Sequence, residues 1–252
     1  MKIKKITIFA GYNKEGKKDS YERLDIIPGD TVSIVGPTGS GKTSLVNDIE
    51  MLAQGDTVTQ RRIFINGKEP PHSFRQDASK NPIVLITQHT NFLADLTIDE
   101  FLRLHAIARK IKSAEPVDRT IFLTNRLTGE KVTEKMRMTA LSGGQTRALM
   151  IADAIVIGNA PIVLLDEIEN AGIFKKEAME MIKEEGKIIF FVTHDPVVAL
   201  LCNIRMVMKN GGVVKIHRTN ELERKSTKRI MEQDIMLNVV RERIRRGEVI
   251  AF

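Results

Sequence analysis

The chain has 252 residues, 42% of them hydrophobic, which suits one large domain or a core domain with a subdomain. A formal net charge of +7 reflects 39 Lys and Arg against 32 Asp and Glu, and the single cysteine, Cys202, excludes an internal disulfide framework. No apolar run approaches the roughly 20 residues that span a bilayer, and the N-terminus lacks a signal-peptide core. We therefore expect a cytoplasmic protein, whose membrane role, if it has one, comes through a separate partner subunit.

The first predicted elements are β-strands. Lys2–Phe9 alternates between polar and apolar residues, Thr31–Val35 is a buried strand, and Arg61–Ile65 precedes a turn at Asn66-Gly67. These segments predict a β-rich N-terminal part.

A glycine-rich loop follows the strand Thr31–Val35 and leads into a helix. Glycines let successive backbone N–H groups curl round an anion, the lysine adds a charge for the β- and γ-phosphates, and the threonine adds a hydroxyl for Mg²⁺. A short glycine pattern could be a simple turn, but the strand before it and the helix after it predict a nucleoside triphosphate site. The predicted contacts are Gly36, Pro37, Thr38, Gly39, Ser40, Gly41, Lys42, Thr43 and Ser44.

A mostly helical subdomain is predicted from about residue 91 to residue 157. Thr97–Glu100 is a capping box that opens a helix, on which we expect His105 to pack at the edge of the core. Further on, Ser142 is a predicted N-cap, and the glycines after it leave the first N–H groups of the next helix bare. A helix N-terminus of this kind can bind an anion.

The apolar run Pro161–Leu165 predicts a strand covered on both faces, and it ends in Asp166-Glu167. By itself this could be an acidic turn. Beside a phosphate loop, the first carboxylate can hold Mg²⁺ through water, and the second can polarise an attacking water.

Leu141-Ser142-Gly143-Gly144-Gln145, with the phosphate loop before it and Ile162–Glu167 after it, resembles the signature of the ATP-binding cassette (ABC) ATPases. Three more positions fit that family: Gln88 after the strand Ile83–Thr87, His194 after the strand Ile188–Val192, and Tyr12 before the phosphate loop. Taken singly, each of these could be an ordinary structural residue. The resemblance covers about residues 1–217. It implies an α/β fold with a P-loop NTPase core, an N-terminal antiparallel β subdomain and a helical signature subdomain.

The resemblance also implies a mechanism. ABC ATPases dimerise head to tail, so that each signature, here Ser142, Gly143, Gly144 and Gln145, caps the γ-phosphate that the other subunit's loop holds. Tyr12 would stack on adenine, Glu167 would act as general base, His194 would hold the γ-phosphate, and Gln88 would reach the metal and the water. The implied ligands are ATP and Mg²⁺, and the implied metal contacts are Thr43, Gln88 and Asp166.

Two features leave alternatives open. After Glu167 the family usually continues Pro-Thr-Ser and then Ala-Leu-Asp, whereas this chain has Ile168–Ile173 with the sequence IENAGI, so communication between the two sites is expected to differ. Residues 218–252 are basic and are predicted to form a helical appendix. Interleaved acidic residues there favour a solvated helix over a nucleic-acid or membrane contact. The resemblance favours the nucleotide-binding subunit of a transporter, and the alternative is a soluble ABC ATPase that remodels a protein complex.

Overall fold

The fold was analysed in a computed structural model, which describes residues 2–77, 80–87, 95–167, 179–180 and 184–250. Its strands are β1 (Ile6–Phe9), β2 (Arg23–Ile26), β3 (Thr31–Val35), β4 (Ile63–Ile65), β5 (Ile83–Thr87), β6 (Ile162–Asp166), β7 (Ile188–Val192), β8 (Ile204–Lys209) and β9 (Gly212–Arg218). Its helices are α1 (Lys42–Glu50), α2 (His72–Gln76), α3 (Ile98–Ala108), α4 (Glu115–Leu127), α5 (Gly143–Val156), α6 (Pro196–Leu201) and α7 (Glu221–Arg245), with a 3₁₀ turn at Met138–Ala140.

The N-terminal strands form a small antiparallel sheet in the order β2-β1-β4. The predicted strand Lys2–Phe9 is shorter in the structure, where it begins at Ile6. Backbone groups before Ile6 hydrogen-bond to a side chain and not to a neighbouring strand. The Asn66 side-chain oxygen accepts hydrogen bonds from the backbone N–H groups of Lys4 (2.7 Å) and Lys5 (3.1 Å). Asn66 and Gly67 both have positive φ, as expected for the predicted turn.

The core sheet has the order β5-β6-β7-β3-β8-β9. Its strands are parallel except for the β8–β9 hairpin. β6 and β7 are almost wholly buried, as their continuous apolar sequences predict. Because carboxyl ends of parallel strands share one edge, the segments that follow β3, β6 and β7 meet there. This edge positions the site.

The helical part contains α3, α4 and α5, which share a buried cluster separate from the sheet core. The predicted capping box at the start of α3 is formed, with Thr97 and Glu100 bonding to each other's backbone N–H groups. His105, expected to pack at the edge of the core, is half-buried. Its Nδ1 lies 2.8 Å from an oxygen of Asp153, so it joins α3 to α5 through a polar contact.

The described C-terminal region contains α6, the β8–β9 hairpin and the long helix α7. Asp195 caps α6 by accepting hydrogen bonds from the N–H groups of Val197 (2.7 Å) and Val198 (3.1 Å), as the Asp-Pro sequence predicts. Two predictions lie outside the described residues: the position of Gln88 and the altered loop Ile168–Ile173. Among the described helices, none combines the length and the apolar character needed to cross a bilayer.

Candidate nucleotide site

The phosphate loop turns from β3 into α1 through glycines that no other residue could replace without strain. Gly41 has φ +96°, and a Cβ placed there would lie 2.6 Å from the Cα of Gly211 on the β8–β9 turn. Both the left-handed backbone and the close approach require glycine at this position. The loop is therefore fixed against the neighbouring hairpin.

A cavity of about 450 Å³ lies above this loop at the carboxyl edge of the sheet. It brings together residues that stand far apart in the sequence. Its lining is Lys14, Thr38, Gly39, Gly41, Lys42, Thr43, Ser44, Asp166, Glu167, Val192 and His194. Of the predicted phosphate-loop contacts, Gly36, Pro37 and Ser40 are not in this lining.

Lys42 is the central cation of the cavity. Its side chain is largely buried, and its Nζ donates to the carbonyl oxygens of Gly36 (2.9 Å) and Pro37 (3.3 Å). A buried ammonium needs such partners, and a phosphate would be a stronger acceptor than a carbonyl. The ammonium is thus held at the mouth of the loop, where a phosphate would meet it.

The predicted catalytic pair is assembled from the ends of β6 and β7. Nε2 of His194 lies 3.4 Å from Oε1 of Glu167. The Glu167 N–H donates to the carbonyl of Val192 (3.0 Å), and its φ is +51°. A left-handed glutamate is uncommon, and such strain is typical of functional positions. The strained backbone turns this carboxylate towards the histidine of the next strand.

Two of the three predicted metal contacts lie close to the phosphate loop. Thr43 and Asp166 line the same cavity, and a hydroxyl with a carboxylate is the kind of hard donor set that Mg²⁺ prefers. Among the described residues, no group of three or more His, Cys, Asp or Glu side chains is spaced to hold a metal by itself. The donor set therefore fits an ion that is bound together with phosphate oxygens.

Lys14 is a site residue that the sequence patterns did not indicate. Its Nζ lies 3.4 Å from the carbonyl oxygen of Gly39, and its backbone N–H donates to the carbonyl of Asn210 at 3.0 Å. The β8–β9 turn thus holds the Lys14 backbone beside the phosphate loop, although Asn210 is remote in sequence. No local pattern marks a lysine placed by such a distant contact.

Tyr12 does not line this cavity. Its side chain is 40% exposed, and its backbone N–H donates to the carbonyl of Thr59 (2.8 Å). The loop that carries it is held by a buried ion cluster, in which Arg61 pairs with Asp19 (3.0 Å) and with Asp48 on α1 (3.0 Å). The assignment of Tyr12 to adenine remains a prediction.

Arg61 has no solvent exposure. Burial by itself would lower the pKa of its guanidinium, but the adjacent carboxylates, Asp19 foremost, hold that pKa above its ordinary value. The cluster connects three segments: the Tyr12 loop, α1 and, through Gly211, the β8–β9 turn. It therefore fixes the surroundings of the phosphate loop from behind.

The signature segment forms a separate structure at the start of α5. Ser142 and Gln145 make a reciprocal capping box, with the Gln145 N–H donating to Ser142 Oγ (3.3 Å) and the Ser142 N–H donating to Gln145 Oε1 (2.9 Å). Among the described residues that line the cavity, none comes from residues 142–145. Within one chain, the signature and the phosphate loop do not meet.

The chain was also compared with known proteins. A family model described as ABC transporter matches residues 22–170. The chain is 50% identical, over 98% of its length and 95% of the relative's, to the uncharacterised ABC transporter ATP-binding protein MJ0121 of Methanocaldococcus jannaschii. It is 34% identical to the macrolide export ATP-binding/permease protein MacB of Aggregatibacter actinomycetemcomitans, over 76% of the chain but only 30% of MacB.

Solved structures share the fold. One is cbiO1 from Clostridium perfringens, part of the ABC transporter complex cbiONQ, with a TM-score of 0.66, 21% identity and 97% coverage of both chains. Another is the dimeric post-hydrolysis ATP-binding cassette MJ0796 bound to ADP and Pi, with a TM-score of 0.63 and 23% identity over 85% of this chain and 99% of that one.

Proposed function

The chain belongs to the ABC transporter family and is an ATP-binding, ATP-hydrolysing enzyme, and on that premise we propose that two copies close head to tail around two ATP molecules to drive a membrane-spanning partner subunit. The observation that carries the proposal is the division of the site. Lys42, Glu167 and His194 share one cavity, while the capped N-terminus of α5 stays outside it. A second copy would supply the missing half.

In this mechanism the phosphate loop binds the triphosphate through its N–H groups and Lys42. Glu167 accepts a proton from water as the water oxygen attacks the γ-phosphorus and the bond to the bridging oxygen breaks. His194, next to Glu167, donates a hydrogen bond to the γ-phosphate. When bound at Thr43 and Asp166, Mg²⁺ would neutralise phosphate charge. Gln88 and Tyr12 are assigned to the water and to adenine by the family resemblance.

Lys14 adds a second cation to the proposed phosphate site. It lines the same cavity as Lys42, with its Nζ 3.4 Å from the carbonyl oxygen of Gly39 in the loop, so its charge would favour the triphosphate. Loss of the γ-phosphate on hydrolysis removes charge from the interface, and we expect the dimer then to open.

The proposal is tested with the Glu167→Gln protein, which can bind ATP but lacks the proton acceptor. Light scattering with saturating ATP and Mg²⁺ should give the mass of a dimer, and quantitation of bound nucleotide should give one ATP per chain. If the protein has full ATP occupancy and its mass is that of a monomer, the head-to-tail site is wrong.

The partner class is tested with the same ATP-locked protein. Its relative MJ0121 is called an ABC transporter ATP-binding protein. That name favours a membrane-spanning partner subunit, to which this chain would bind on the cytoplasmic side. Affinity purification from detergent-solubilised membranes and, separately, from the soluble fraction should recover a stoichiometric multi-span protein from the membranes. A stoichiometric soluble complex instead would favour the remodelling ATPase.

A further inference from the structure

The C-terminal helix α7 (Glu221–Arg245) is anchored to the body at its start. Glu223 accepts hydrogen bonds from Arg205 of β8 (3.0 Å) and His217 of β9 (2.7 Å). Burial would raise the pKa of Glu223, but these two contacts outweigh it and leave the pKa below its ordinary value. The first turns of α7 thus have a fixed place against the sheet.

The second half of α7 carries apolar side chains that face solvent. Leu237 is 55% and Ile244 59% exposed, and these two lie on one face of the helix, whereas the exposed Ile235, Met236 and Val239 lie on other faces. The helix face that borders α6 is a different one, since it carries Thr227 and Met231. Leu237 and Ile244 belong to an apolar stripe on the face away from α6, which only a partner could bury further.

The stripe has the spacing of a coiled-coil seam. Ile230, Gln233, Leu237, Val240 and Ile244 follow one another at alternating intervals of three and four residues. That is the heptad pattern in which Ile230, Leu237 and Ile244 take position a, and Gln233 and Val240 take position d.

The polar residue in the seam and the flanking charges indicate a second copy of this chain as the partner. In a parallel, in-register pair, Gln233 meets Gln233 of the other copy, and the two amides can hydrogen-bond; in an antiparallel pair it would face an apolar residue instead. At the flanking positions, Arg229 (g) comes opposite Asp234 (e) of the other copy, and the following pair, Met236 with Arg241, brings no like charges together.

We propose that the α7 helices of two copies form a parallel coiled coil through this seam, an interface that needs no nucleotide. It does not depend on the ATP-bound dimer proposed above, because it uses no residue of that site. Where both contacts exist, the coiled coil keeps the two cassettes at a high effective concentration after hydrolysis opens the ATP interface. Re-closure on fresh ATP is then intramolecular.

The first test compares two substitutions of equally exposed residues on the same helix. Leu237 and Val239 are each 55% exposed, but only Leu237 lies in the seam. Sedimentation of the full chain without nucleotide should show a dimer for the unaltered protein and for Val239→Asp. Leu237→Asp should weaken self-association at least about tenfold, because its charge would face the same charge across the seam. ATP binding by all three proteins reports that they are folded.

Two results would overturn the proposal: a nucleotide-free protein that is monomeric at its highest soluble concentration, or equal loss of association in both variants. Failure here is distinguishable from failure of the ATP-bound dimer. The double variant Glu167→Gln/Leu237→Asp should still dimerise when ATP is added. If it cannot, while the unaltered protein is a dimer without nucleotide, the ATP-bound dimer is wrong and the α7 interface stands.

The second test examines register and orientation. Arg229→Glu should weaken the nucleotide-free dimer, and adding Asp234→Arg should restore it. Residues five apart do not face each other on one helix, so this rescue would report a contact between chains. Val240→Cys should also form a disulfide-linked dimer on mild oxidation. The unaltered protein is the control, and it should not crosslink because its cysteine, Cys202, is buried. A lack of both rescue and crosslinking would exclude the parallel register.

Discussion

The two halves of the proposed site are built in different ways. The phosphate-loop half collects Lys14, Lys42, Glu167 and His194 from segments spread over much of the chain, and the core sheet and a buried ion cluster hold them in place. The signature half is one helix start, satisfied by its own capping box. The first half is a cavity with a buried cation, whereas the second is a surface. A single chain thus holds the proposed phosphate pocket but not the signature that would close it.

The largest effect is expected in the chemistry of the first half. Glu167→Gln keeps the size and the hydrogen-bonding capacity of the side chain but cannot accept a proton, so hydrolysis should fall by about 10²–10⁴-fold while ATP binding is retained. Phosphate release and equilibrium ATP binding measure the two properties. Glu134→Gln, an exposed carboxylate of the helical part, is the control. Normal hydrolysis by the Glu167→Gln protein would mean that Glu167 is not the general base.

The buried ion cluster behind the phosphate loop is tested by Arg61→Met. Removing the guanidinium leaves the buried carboxylates of Asp19 and Asp48 without compensation, so the free energy of unfolding should fall by about 3–5 kcal/mol. Denaturant unfolding measures it. Arg62→Met changes the exposed neighbour and should have little effect. Similar stability of the two variants would mean that the cluster does not hold the loop.

Phosphate binding is tested by Lys42→Ala. Loss of the buried cation should weaken ATP binding by about 1.5–3 kcal/mol or more. Lys14→Ala should cost less, about 1 kcal/mol, since that side chain is exposed and its charge is screened. Titration with a labelled ATP analogue measures both variants. Unchanged affinity in folded Lys42→Ala would contradict the assignment of the phosphate loop.

The smallest effect is expected at the signature. Ser142→Ala removes the cap of α5 and should lower the free energy of unfolding by about 1 kcal/mol, whereas Ser142→Asn keeps a capping oxygen and should lower it less. Thermal unfolding compares the two. If alanine and asparagine are equivalent, the cap contributes nothing and the start of α5 is held by other contacts.

The sequence was most informative where the backbone itself makes the site. The strand–glycine–lysine order predicted the phosphate loop, and continuous apolar runs predicted β6 and β7 with Asp166, Glu167 and His194 at their ends. Such features depend on local geometry and on the common edge of a parallel sheet. The family match, the 50% identity to MJ0121 and the shared fold confirm the family and the fold.

Contacts between distant segments could not be predicted in the same way. Lys14 enters the cavity because the backbone of Asn210 holds it, and His105 has a polar partner because Asp153 lies on the adjacent helix. Neither pairing leaves a periodic or local pattern in the sequence. The positive φ of Glu167 is also imposed by its surroundings, since glutamate has no preference for that conformation.

The central claim is that the two halves act across two chains, and mixing two inactive proteins tests it most directly. Ser142→Arg places bulk and positive charge on the signature, and it should abolish hydrolysis while the monomer still binds ATP through Lys42. Lys42→Ala should be inactive because its own phosphate loop binds ATP too weakly, although its signature is intact. Their heterodimer has one site with both lesions and one site with neither, so hydrolysis should reappear on mixing. A Ser142→Arg protein that by itself hydrolyses ATP at the normal rate would contradict the account.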